Sequence, residues 1–109
     1  MSDIYQTKRH KFFHKSGALA WDEIIPAPEQ GKSIVICDVV AAGMTLLELK
    51  DSDQNAVLGS DERLFGIVAG AEQGISLMGL NIVAKNGGAI QGKTSGAGDQ
   101  FITITYYIA

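Results

Sequence analysis

Ten glycines fall between positions 59 and 98, at 59, 66, 70, 74, 79, 87, 88, 92, 96 and 98. A glycine in a helix interior costs about 1 kcal/mol relative to alanine. The gaps between these glycines are too short for a good helix, so this half of the chain is expected to form short strands joined by tight turns. The chain has 109 residues, the size of one domain. Hydrophobic residues make up 46% and charged residues only 19%, which argues against a disordered charged tail.

The strands are read from alternation. In Gln100-Phe101-Ile102-Thr103-Ile104-Thr105-Tyr106-Tyr107-Ile108, positions 102, 104, 106 and 108 are apolar and the threonines lie between them. This period of two predicts a half-buried strand. Ser33 to Val40 is a β-branched run bounded by Gly31 and Gly43. Ala18 to Ile25 is a strand that must stop at Pro26-Ala27-Pro28, because proline cannot donate to a ladder. Thr45 to Lys50 reads as helix or strand; as a strand it puts Leu47 and Leu49 on one face. Arg63 to Ala69, Ile75 to Ala84 and Ala89 to Thr94 are further apolar runs, and Asn86-Gly87 predicts a hairpin joining the last two. Seven or eight short antiparallel strands at this spacing indicate an all-β, single-domain β-sandwich with a jelly-roll-like arrangement.

Charge divides the chain. Residues 1–15 hold Lys8, Arg9, Lys11 and Lys15 against Asp3, whereas residues 16–109 carry a net charge of −6. The expected organisation is a basic N-terminal arm at 1–15 before a sandwich at 16–109. Phe12 and Phe13 sit among the arm's charges, which favours docking on an acidic surface over free solvation. Lys8, Arg9, Lys11, Phe12, Phe13 and Lys15 are therefore the candidate binding residues. A net charge of −3 argues against a whole-surface nucleic-acid binder. No apolar run is long enough for a membrane helix, and no secretory signal is read at the N-terminus.

The motifs that could carry chemistry are incomplete. Gly31-Lys32-Ser33 resembles the tail of a phosphate loop, but Pro26 stands where its first glycine belongs and a strand follows. Asp51, Asp53, Asn55 and Glu62 fit ligand positions of a calcium loop, but Ala56 replaces the glycine of the sharp turn, so a solvated polar turn is preferred. His10 and His14 lack a third ligand, and Cys37 falls in an expected buried strand. Asp22 and Glu23 are adjacent and would point to opposite faces of a strand. Trp21 is read as a core or interface anchor. No catalytic residue, cofactor or metal is expected, so the chain is read as a non-enzyme.

Taken together, Ile25-Pro26-Ala27-Pro28, then Gly31-Lys32-Ser33-Ile34-Val35-Ile36, then Gly92-Lys93-Thr94-Ser95-Gly96 before Ile102-Thr103-Ile104-Thr105-Tyr106-Tyr107, resemble small β-sandwich virion structural proteins of tailed bacteriophages. These are the capsid decoration (cement), head-fibre and tail accessory proteins. The resemblance spans about residues 18–109 and rests on spacing and composition. It implies a homotrimer without enzyme activity, located in the virion and partnered by itself and by a major capsid or other virion protein. The alternative is a ligand- or carbohydrate-binding β-sandwich module, which would show exposed aromatics on one face.

Overall fold

The computed structural model describes residues 7–51, 65–68, 74–84 and 88–109, with backbone alone at 65–68. Among them run nine strands: β1 (Arg9–Ser16), β2 (Ala20–Ile25), β3 (Ile34–Ala42), β4 (Leu46–Asp51), β5 (Phe65–Val68), β6 (Ile75–Leu77), β7 (Ile82–Val83), β8 (Ile90–Ser95) and β9 (Asp99–Ile108). All pairings are antiparallel. They join β1 to β9, β2 to β8, β3 to β6 and β7, and β4 to β5. First thus meets last, second meets second-to-last, and so inward. This is one long hairpin rolled into two layers, a jelly roll. Pairing of β3 with β9 and of β4 with β8 completes a five-stranded sheet, β1-β9-β3-β6 with β7 also on β3, and a four-stranded sheet, β2-β8-β4-β5. Because β6 and β7 pair with successive stretches of β3, they act as one interrupted strand.

The alternation of the last strand holds. Ile102 and Ile104 are fully buried between the sheets, Tyr106 and Ile108 pack at the core's margin, and Phe101 faces out. The run from Thr45 to Lys50 resolves as the strand β4, Leu46–Asp51, with Leu47 and Leu49 fully buried opposite Thr94 and Gly92. In β3 the inward residues are Ile34 and Ile36, then Val39 and Ala41. The phase changes because Cys37 is an extra residue in the pairing with β9, a bulge that the unbroken apolar run does not reveal. The core joins these residues to Leu19, Ile24, Ile25, Met44 and Ile90. It also holds two satisfied polar groups. The Thr94 hydroxyl accepts the Leu19 N–H at 2.8 Å and donates to Gln100 Oε1, while Gln100 Nε2 donates to the Gly96 carbonyl at 3.1 Å.

Four expectations change. The basic arm does not precede the sandwich: Arg9–Ser16 forms β1 and pairs along all eight residues with β9. The chain leaves β1 through Gly17 at φ +99° and crosses to the opposite sheet as β2. The run 75–84 is two strands rather than one, broken at Gly79 and Asn81, both at positive φ. The hairpin expected around 86–87 does not link the flanking strands, since β7 belongs to one sheet and β8 to the other; residues 85–87 lie outside the described residues. Asp51 is not a solvated turn residue but the fully buried end of β4, and the remainder of the calcium template, 52–64, lies outside the described residues.

At the opposite end, the β3–β4 turn approaches β9 closely. Gly43 has φ +91°, and a Cβ there would lie 2.1 Å from the Asp99 carbonyl oxygen. Gly31-Lys32-Ser33 is a turn, closed by the Lys32 N–H donating to the Glu29 carbonyl at 3.1 Å, and it leads directly into β3.

Candidate functional site

β1 is an edge strand, so its side chains alternate between the space between the sheets and the outer face. That alternation divides the candidate binding residues. Phe13 points inward and packs on the core. Lys11 and Lys15 share its face and are half-buried. The Lys15 ammonium donates to Asp22 Oδ2 at 2.9 Å, tying the two sheets together. This hydrogen bond, with that from the Ala20 N–H at 2.9 Å, holds the Asp22 carboxyl below its ordinary pKa. Arg9 lines a cleft of about 320 Å³ with Glu29, Tyr106 and Pro26 at the mouth of the sandwich. Lys8 is exposed just before β1. Only Phe12, 61% exposed, faces outward from within the strand. The six residues are therefore not one basic-aromatic dock.

What the outer face of the five-stranded sheet does assemble is apolar. Phe101 on β9 lies 6.2 Å from Phe12, ring centre to ring centre, and the His14 ring stacks on Phe101 at 4.8 Å. Across the sheet, register places Thr103 between Phe12 and Val40, with Ser76 beyond. Val40, Val83 and the neighbouring Met78 are 48%, 50% and 68% exposed. Every large hydrophobic side chain exposed among the described residues thus belongs to this sheet or to the β6–β7 connection at its edge. An antiparallel sheet with one buried face normally turns polar residues to water on the other.

Charge on this face is sparse and mostly engaged. The Gly79 N–H donates to Asp38 Oδ1 at 2.9 Å. Asp99 Oδ1 lies 3.3 Å from His14 Nε2, and His10 Nδ1 is 3.0 Å from the Thr105 hydroxyl. The two histidines share a strand face, each with its own partner on β9. Residue reading missed Phe101 and Val40. Their signal was an apolar residue in the phase that should have been polar, Phe101 before Thr103 and Thr105, and Val40 beside Val39.

The four-stranded sheet has a different outer face. Trp21 is a bulged residue in β2 at φ +59°, and its ring lies 4.5 Å from the Lys50 ammonium and 6.0 Å from that of Lys93. It is half-buried under lysines rather than set in the core. Among the described residues, no group of three or more His, Cys, Asp or Glu could hold a metal, and no helix is long and apolar enough to cross a membrane.

No family model and no curated protein matches the chain. Solved structures with a similar fold include a chain of the cyanophage Pam1 capsid asymmetric unit, at 13% identity and TM-score 0.47, covering 93% of this chain and 83% of that one. Another is the Drosophila NLP core, described for pentamer formation and histone binding, at 10% identity and TM-score 0.45, covering 91% and 98%. A third comes from Bacillus endospore appendages, a family of disulfide-linked pili, at 15% identity and TM-score 0.41, covering 94% and 89%. At these scores the likenesses assign no function.

Proposed function

We propose that this chain is a non-enzymatic structural protein of a phage virion, which self-associates and attaches to a capsid, as decoration or cement, or to a tail. The observation that carries the reading is the outer face of the five-stranded sheet. Phe12, Phe101, Val40, Val83 and Met78 are exposed on one side of the molecule, and grouped apolar exposure of this kind marks a protein contact. The resemblance read from the sequence supplies the virion setting. Attachment through a basic arm is withdrawn, because β1 is part of the sandwich. The test is quantitative mass spectrometry of purified phage particles whose genome encodes the chain. A fixed copy number relative to the major capsid protein is expected. Absence from the particles overturns the reading.

The second reading, a ligand- or carbohydrate-binding module, draws on Phe12, His14 and Phe101, which do place aromatic rings side by side on one face. Calorimetric titration with oligosaccharides tests it, and saturable binding lost on Phe101→Ala would favour it.

A further inference from the structure

We infer that the open edge of β1 is a docking site for an extended acidic segment of another protein, which adds to the five-stranded sheet as a further antiparallel strand. The surface is distinct from the apolar outer face, and the inference does not depend on the virion setting.

Three observations carry it. The first is the main chain. β1 ends its sheet and pairs with β9 alone among the described residues. One residue beyond β1, the Gly17 N–H donates to the Gly98 carbonyl at 3.0 Å. Antiparallel partners alternate between hydrogen-bonded and non-hydrogen-bonded pairs, so this bond sets the phase back along the strand. Arg9, Lys11, Phe13 and Lys15 bond to β9, and His10, Phe12, His14 and Ser16 turn their N–H and C=O groups to the open side. The register is unbroken over all eight residues. The other edges are poorer templates: β2 is bulged twice, and β5, β6 and β7 have four, three and two residues. A long unbroken edge binds an extended segment through its main chain.

The second is charge. The inward side chains of β1 are Arg9, Lys11, Phe13 and Lys15. Asp22 on the facing strand β2 is taken by Lys15, and Glu29 shares the cleft with Arg9. Lys11 is half-buried and has no acidic partner among the described residues. An added strand sets its own inward side chains directly opposite these, so acids there meet unmatched positive charge. The same row disfavours the β1 of a second copy. Of the two-fold pairings that the open groups allow, the two with the longest overlap set Arg9 of one copy opposite Lys15 of the other, or Lys11 opposite Lys15. Like charges directly opposite destabilise a strand pair.

The third is the cleft of about 320 Å³ at the Arg9 end of β1. Its walls are mostly apolar, from Ile25 and Pro26 at the end of β2 to Tyr106 and Ile108 on β9. The residue of an added strand that lies opposite Arg9 turns inward at this cleft. The segment that fits therefore carries an acid opposite Lys11 and an apolar or aromatic residue two positions later.

The test is titration of the full chain with an acetylated and amidated octapeptide, followed by amide NMR. In the peptide threonine alternates with, in order, glutamate, valine, glutamate and phenylalanine. Antiparallel docking sets the glutamates opposite Lys15 and Lys11 and the phenylalanine opposite Arg9, with the threonine N–H groups facing β1. The amide signals of His10, Phe12, His14 and Ser16 are expected to shift saturably. N-methylation of the threonine amides should weaken binding on the order of 10-fold or more, because it removes the donors to β1, whereas N-methylation of the alternate amides should not. A peptide with lysine in place of glutamate should bind on the order of 10-fold more weakly, and Lys11→Glu, its fold verified by circular dichroism, should reverse that preference. The inference is overturned by β1 amides that do not move at millimolar peptide, by shifts centred on Phe101 and Val40 instead, by equal loss from the two methylations, or by a lysine peptide that binds as well. The peptide arms use the unaltered chain and stand without the variant. None of these results bears on particle composition, which tests the virion reading separately.

Discussion

The approach of the β3–β4 turn to β9 sets a quantitative test of how the ends of the sandwich are closed. In Gly43→Ala two costs add. At φ +91° an L side chain meets its own carbonyl, which costs about 1–2 kcal/mol. The added Cβ would also lie 2.1 Å from the Asp99 carbonyl oxygen, with the Asp99 carbonyl carbon at 3.1 Å and Gln100 Cα at 3.2 Å. Carbon–oxygen contacts settle at about 3.3 Å or more, so the turn and the start of β9 must part by about 1 Å. Both partners are backbone and cannot rotate away. Overpacking of this kind costs about 1–3 kcal/mol. The expected loss is about 3–4 kcal/mol, a fall of about 2 M in the urea midpoint for a domain of this size. Gly31→Ala isolates the first cost: its φ is +85°, and nothing lies within 4 Å of the added Cβ. That variant should lose only about 1 kcal/mol. Both are measured by circular dichroism at one protein concentration, because the proposed self-association would make stability concentration-dependent. Equal midpoints for the two variants would refute the close-approach argument.

Thr94→Val strands the Leu19 amide and removes the donor to Gln100, both buried, so a loss of about 3 kcal/mol is expected in the same urea assay; a loss under about 1 kcal/mol would mean the network is not holding the β8–β9 end. Removing the chain through Ser16 strips β1 from β9 and takes Phe13 out of the core, so the remainder should lose its cooperative transition, and an unchanged transition would restore the view of residues 1–15 as a dispensable arm. Asp22 is held below its ordinary pKa by Lys15 and by the Ala20 amide, so its contribution is present above the unfolded carboxyl's pKa of about 3.9 and disappears as pH falls through the lowered folded value. The pair is partly exposed, so Asp22→Asn should cost only about 0.5 kcal/mol near neutrality, and the difference from wild type should vanish in strong acid; a gap that persists there contradicts the ion-pair account.

The strand pattern was legible wherever one face alone is buried. Ile102 and Ile104 announced β9, Leu47 and Leu49 fitted a strand, and Pro26 ended β2 where expected. β1 was hidden because Arg9, Lys11 and Lys15 occupy its inward phase at an open edge. There a long side chain buries its stem and keeps its charge wet or paired, so local composition reads as a solvated arm. The Cys37 bulge was hidden for a different reason. β3 is apolar on both faces, so a slip of one residue leaves no mark in hydrophobicity. The candidate surface was half legible: Phe12 was picked out, but its neighbours Phe101 and Val40 reach it only through pairings with β9, and no local pattern encodes those.

The pairing of β1 with β9 also sets when the outer face of the five-stranded sheet comes into being. Phe12 and Phe101 sit on strands whose paired residues are as far apart in sequence as Arg9 and Tyr106. Contacts of such separation form late, after the intervening loop entropy has been overcome. During synthesis β1 leaves the ribosome first and waits for β9, the last strand, before its partner exists. The aromatic half of the outer face therefore does not exist on a nascent or truncated chain. If the chain assembles through this face as proposed, only molecules that have completed β9 can do so, and a chain cut short before β9 lacks that surface.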